Sequence, residues 1–189
     1  MMVAVSFAAG LNLYATTATL GLLARFGVLT LPGPIAALSN EWVIGASLAL
    51  FLIEFVADKI PMVDLMWSAL QTFVKVPAGA LLAWSATTSL SPAAQLVATI
   101  GGGAIALAAH GAKVAIRGSV TASPEPLSNI VLSAAEDVGA IALTWFATRH
   151  PYLAAALAIV LLIAAVLVIR LLWVALRAFG RRAWQRNPG

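Results

Sequence analysis

Eighteen consecutive residues, from Tyr152 to Ile169, carry no charge and almost no polarity. That run decides the solvent in which the chain folds, because a helix needs about 20 apolar residues to cross the hydrocarbon layer of a bilayer. The full stretch extends over residues 152–173, and five others resemble it, over residues 2–24, 42–57, 65–87, 93–116 and 127–148. Composition agrees: 62% of the 189 residues are hydrophobic and 10% charged, where soluble domains carry about 25% charged. So little polar surface cannot cover a small globule. A water-soluble enzyme is excluded, and so is a disordered chain. The expected fold is an all-α, polytopic transmembrane helical bundle of about six spans.

Pro, Gly and short polar runs punctuate the stretches, as in Leu31-Pro-Gly-Pro34, Asp58-Lys59-Ile60-Pro61 and Ser89-Leu-Ser-Pro92. Pro61, Pro77 and Pro126 are expected to mark kinks or helix starts. The N-terminus lacks the basic opening of a secretory signal, so the first stretch reads as a retained span. Five arginines and no acid follow from Arg170 onward. The basic balance of the chain therefore belongs to a C-terminal tail, residues 179–189, attached to one membrane domain, residues 1–178. The expected partner of that tail is anionic lipid on the cytoplasmic face of the bilayer. Nucleic acid is not expected, since no aromatic and basic platform accompanies the cluster. Counting Lys and Arg in the loops favours both termini in the cytoplasm of a plasma (bacterial inner) membrane.

Ionisable residues inside such stretches are costly and normally face a protein interior or a wet cavity. Glu54 and Asp58 lie four apart and share one helix face, with Lys59 and Asp64 close behind. His110, Lys113 and Arg117 also share a face. The acidic stripe of one span and the basic stripe of another are expected to compensate each other. Deeper in the membrane, Lys75 is expected to meet Glu136 and Asp137. Asn12, Tyr14 and Thr16 add uncharged polarity to the first span, with interhelical hydrogen bonding as their simplest role.

A shift of 61 residues aligns Asp64 with Glu125, Ser68 with Asn129, Lys75 with Glu136, Leu82 with Leu143 and Trp84 with Trp145. Residues 42–87 and 93–148 thus read as a repeat of two-span units. Repeats with polar groups at mid-membrane are typical of transporters. The charges in the third and fifth stretches also fit re-entrant segments.

Cys is absent, so thiolate chemistry is excluded. One His among carboxylates is a thin ligand set, and no metal is expected. Phosphate-loop, dinucleotide and nucleophile-elbow motifs are missing, so no cofactor and no catalytic residue are expected.

The run Ser6-Phe-Ala-Ala-Gly-Leu-Asn-Leu-Tyr14, the box Glu54-Phe-Val-Ala-Asp-Lys-Ile-Pro-Met-Val-Asp64, and His110-Gly-Ala-Lys113 with Arg117 resemble an uncharacterised membrane family of bacteria and plants. So does the Ser-Pro…Ser-Asn…Glu-Asp series over residues 123–137. That family is catalogued as domain of unknown function 4126. The resemblance covers residues 5–148 and implies a small polytopic membrane protein, with no activity, substrate or cofactor attached.

The leading functional expectation is an oligomeric permease or channel-like transporter. Its charged site between repeats would hold an anionic or zwitterionic solute or a lipid head group. Two alternatives stand beside it. One is a structural subunit whose charges are static helix clamps; the other is a membrane-embedded enzyme acting on lipid.

Overall fold

Proline marks where most of the long helices begin. In the computed structural model the chain forms α1 (Met2–Leu11), α2 (Leu13–Arg25), a 3-10 helix (Gly33–Ser39), α3 (Glu41–Ala57), α4 (Pro61–Ser85), α5 (Pro92–Thr121), α6 (Pro126–Arg149) and α7 (Pro151–Arg186). The first four N–H groups of a helix have no partner within it, so a residue without one costs nothing at the first position. Pro77 lies inside α4 without ending it. The structure describes residues 1–121 and 126–186, and of residues 61, 62, 65, 119–121, 126–129 and 179–186 the backbone alone. No strand occurs among the described residues. Glu125, Asn129 and the tail arginines Arg181, Arg182 and Arg186, invoked above for the repeat and for lipid contact, therefore lie outside the side-chain description.

Three helices are long and apolar enough to cross a membrane: Pro92–Gly118, Ile130–Arg149 and Pro151–Ala178. The 3-10 helix with α3 makes a fourth if that pair, bent by 74°, counts as one span. The chain is thus a multi-pass membrane protein by the length and composition of its helices. The third and fifth stretches form the continuous helices α4 and α6. α4 has the length of a span but buries Asp64, Ser68, Gln71 and Lys75 along one side.

The first stretch departs from expectation. It does not form one rod, because Asn12 takes an extended conformation (φ −142°, ψ 105°) between α1 and α2. α1 approaches this break with Ser6 donating to the Gly79 carbonyl (3.1 Å) and Gly10 against Ala106 and Ala109. It therefore descends from the Gly79 level of α4 to the Lys75 level. After the break, Gly21 of α2 lies against Leu38 and Ile44, and Gly33 reaches Thr88, beyond the C-terminal end of α4. A helix continuing straight past Lys75 would leave Gly33 far too distant from Thr88, at 1.5 Å per helical residue. Residues 2–33 thus double back within the protein, and Asn12 is the turning point.

α1 is apolar all round and buried from Ala4 to Gly10, as a helix of that pattern must be. It is wedged among α4, α5, α6 and α7. Small residues permit the close approach: a side chain at Gly10 would meet the Ala106 carbonyl at 2.5 Å. Large apolar side chains such as Leu52, Phe73, Val97 and Leu171 cover the outside, the inverse of a water-soluble surface.

Arg25 and Glu41 pair at 3.0 Å where α2 ends and α3 begins, both largely exposed. Arg25→Ala is expected to change stability by no more than about 1 kcal/mol, read from thermal unfolding in detergent.

Candidate functional site: a buried ion-pair network

Four segments bring their ionic residues to one place, and a fifth meets them there. α3 contributes Glu54 and, just past its end, Asp58; α4 contributes Asp64 and Lys75; α5 contributes Lys113 and Arg117; α6 contributes Glu136 and Asp137. The fifth is the break at Asn12. Helical spacing explains the local part, since residues three, four or seven apart share a face. Packing explains the rest.

Lys75 Nζ donates to Glu54 Oε1 at 2.9 Å. Lys113 Nζ lies 3.2 Å from both Glu54 and Asp58 and 3.4 Å from Glu136. Arg117 serves three acids: one terminal nitrogen donates to Asp64 at 2.8 Å, and the other to Asp58 at 2.7 Å and to Glu136. The planar guanidinium has five donors on separate nitrogens, which lets it reach acids on opposite sides of its fork. Glu54 and Lys75 are each 1% exposed, so both charges are withdrawn from solvent and depend on each other. Burial works against the Asp58 carboxylate. The Lys113 and Arg117 charges beside it outweigh burial and hold its pKa below the ordinary value.

The break joins this network through its backbone. The Asn12 side chain caps α2 by accepting from the Ala15 N–H at 2.9 Å. That leaves the Leu11 carbonyl, at the negative end of α1, without its usual helical donor. Lys75 donates to it at 3.0 Å and Lys113 at 3.4 Å. The Asn12 amide donates to Asp137 Oδ1 at 2.8 Å.

The pairing differs from the sequence expectation. Lys75 meets Glu54 instead of Glu136 and Asp137, so there is one network where two were expected. Glu136 pairs with Lys113 and Arg117, and Asp137 with Asn12. His110 stands beside the network. Its Nε2 lies 2.9 Å from the Ser68 carbonyl and 3.1 Å from the Thr72 hydroxyl. A carbonyl only accepts, so Nε2 carries the proton. Lys59 is half-buried, and its ammonium donates to the Phe55 carbonyl at 2.8 Å and lies over the Phe55 ring. Tyr14 is half-buried and makes no side-chain hydrogen bond among the described residues.

Ser133, which donates to Asp58 at 3.4 Å, escaped the sequence reading, as did Thr72 and Gln71 on α4, and Ser68 entered it only through the repeat. Gln71 is buried, and neither of its amide atoms has a partner among the described residues. For the α4 residues, their spacing from Asp64 to Lys75 was the available signal, a polar stripe on an otherwise apolar helix. Among the described residues no group of three His, Cys, Asp or Glu side chains is placed to hold a metal ion.

The family model described as domain of unknown function (DUF4126) matches residues 1–171. No curated protein matches the chain, and no solved structure does.

Proposed function

The chain belongs to the domain of unknown function 4126 family, and from its own geometry we propose that it is a small membrane transporter whose ion-pair network is the solute-handling centre in a closed state. The supporting observation is the re-entrant break. A short helix that ends inside the protein, with its terminal carbonyl on two buried lysines and its Asn12 amide on a buried carboxylate, is how discontinuous helices build transport sites. A static scaffold has no need to unwind a helix there.

The centre offers both signs of charge, with carboxylates in excess of cations. A zwitterionic solute suits that balance better than a simple anion. Its acidic group would replace a carboxylate on Lys75 or Lys113, and its cationic group would take the carboxylate released. In this reading α3 to α7 cross the bilayer and residues 2–33 dip into it. Five crossings place the N-terminus opposite the arginine tail, in contrast to the shared side that six crossings imply. The tail remains cytoplasmic by its positive charge, against anionic lipid. The two-span repeat then pairs α4 with α6.

The second reading, static helix clamps, is favoured by one observation: Lys75, Lys113 and Arg117 all have carboxylate partners. The charge-conserving double variant Glu54→Gln/Lys75→Met separates the two. Replacing a buried pair by neutral groups of similar size is often neutral, or stabilising by about 1–4 kcal/mol. Thermal stability is therefore expected to survive. Counterflow of radiolabelled zwitterions (an α-amino acid, a betaine, phosphoethanolamine) into proteoliposomes is expected to fall to background. Transport of none of these by the unaltered protein would remove the proposal, as would full transport by the double variant.

A further inference from the structure

Three buried cations, Lys75, Lys113 and Arg117, face five buried carboxylates, Glu54, Asp58, Asp64, Glu136 and Asp137. Two negative charges are in excess in a medium of low dielectric, where an uncompensated carboxylate is among the most costly groups to bury. A metal ion does not fit the deficit, because no three acidic or His side chains among the described residues converge to hold one. A proton needs only one oxygen.

Asp137 is the carboxylate with the strongest claim. The other four each pair with a Lys or Arg, whereas Asp137 has no cation within salt-bridge distance among the described residues. Its one side-chain hydrogen bond among the described residues is from the Asn12 amide to Oδ1. Oδ2 is buried and has no partner among the described residues, and the residue is 4% exposed. The charged groups around it are Lys113 from α5, Glu54 from α3, and Asp58 with Lys59 from the turn after α3. Its neighbour Glu136 is occupied by Arg117 and Lys113. α1 has no charged side chain, α2 has only Arg25 at its far end, and α7 has none before Arg170. Nothing in α1, α2 or α7 therefore replaces the missing cation, and among the described residues neither Lys113 nor Lys59 comes within salt-bridge distance of Asp137.

We propose that Asp137 is a proton-binding site, occupied in this closed state, and that its occupancy sets the turn at Asn12. The proton adds to Oδ2 and on release passes to solvent water, leaving a carboxylate. That carboxylate then competes for Lys113, which in the closed state donates to the Leu11 carbonyl. Drawing Lys113 away releases one of the two lysines that hold the end of α1. Proton release thereby loosens the re-entrant tip, and proton uptake restores it. This deepens the transport reading, and rests on it for the purpose of the movement, by adding proton coupling at a named atom.

The test needs no transported solute, so its failure is separate from failure of the transport reading. Infrared spectra of the purified full chain in nanodiscs, unlabelled and with carboxyl-13C aspartate, are recorded across a pH titration. The expected result is a protonated-carboxyl stretch at neutral pH that shifts with the aspartate label. Asp137→Asn, the closest neutral mimic, is expected to abolish that band, keep the melting temperature and bind one proton fewer in the titration. Glu136→Gln is expected to leave the band in place. Absence of the band from the unaltered protein overturns the proposal, as does its persistence in Asp137→Asn. Failure of Asp137→Asn to fold overturns it too, since an amide would then be no substitute for the group present.

Discussion

Arg117→Met is expected to cost about 3–5 kcal/mol of stability and to yield protein that unfolds or is lost during extraction. The loss follows from how many acids depend on one side chain. Arg117 donates to Asp58, Asp64 and Glu136. Among the described residues Asp64 has no other cationic partner, while Asp58 and Glu136 retain only Lys113. Removing the guanidinium strands one carboxylate and leaves two others to a single ammonium. Arg117→Lys is expected to fall between, since an ammonium keeps the charge but loses the separate nitrogens with which Arg117 reaches Asp64 on one side and Asp58 and Glu136 on the other. Thermal unfolding in detergent orders the three proteins. Equal stability of Arg117→Met and the unaltered chain would mean that the buried network contributes nothing.

The second large effect is steric and has its control next door. Gly101, Gly102 and Gly103 are consecutive on α5, yet an added methyl meets a different environment at each. At Gly101 it meets nothing within 4 Å, and at Gly103 it meets Ala80 Cβ at 3.4 Å, an ordinary contact. At Gly102 it collides with Ala83 Cβ and comes within 2.7 Å of the Gly79 carbonyl and 3.0 Å of Ser6 Oγ. Two of these neighbours are rigid parts of α4, and the third is the hydroxyl that ties α1 to α4. Gly102→Ala is therefore expected to destabilise by about 1–3 kcal/mol through overpacking. Gly101→Ala is expected to gain about 0.5–1 kcal/mol, because alanine loses less backbone entropy in a helix. Opposite signs at adjacent glycines in one unfolding series test the packing of α1, α4 and α5. Equal signs would refute it.

Local periodicity made part of the centre readable in advance. Glu54 with Asp58, and Lys113 with Arg117, share helix faces whatever the tertiary structure, because the helical repeat alone puts them there. Lys75 could not be assigned a partner in the same way. Its choice of Glu54 over Glu136 depends on α3 and the end of α1 reaching it, while α6 faces α5 through Arg117. Asn12 was legible as a polar side chain seeking a partner on another helix, and it finds Asp137. Its extended backbone was not. Flanked by Leu11 and Leu13, it resembles any tolerated asparagine in an apolar helix, and the freed Leu11 carbonyl is stabilised only by lysines 64 and 102 residues away. Gln71, Thr72 and Ser133 were overlooked because uncharged polar groups are cheap enough in a membrane helix to carry no signal alone.

What the sequence by itself determined is the all-helical, membrane-embedded character of the chain, the kinks or helix starts expected at Pro61 and Pro126, and the residues too costly to face lipid. These follow from transfer free energies and the helical period, which act within one segment. Only the tertiary structure decided that the first stretch turns back at Asn12, that both ionic clusters merge into one, and that Asp137 is left without a cation. The reason is physical: a charge buried in low dielectric is stabilised by whichever opposite charge comes within a few ångströms, and only the packing of remote helices determines that distance.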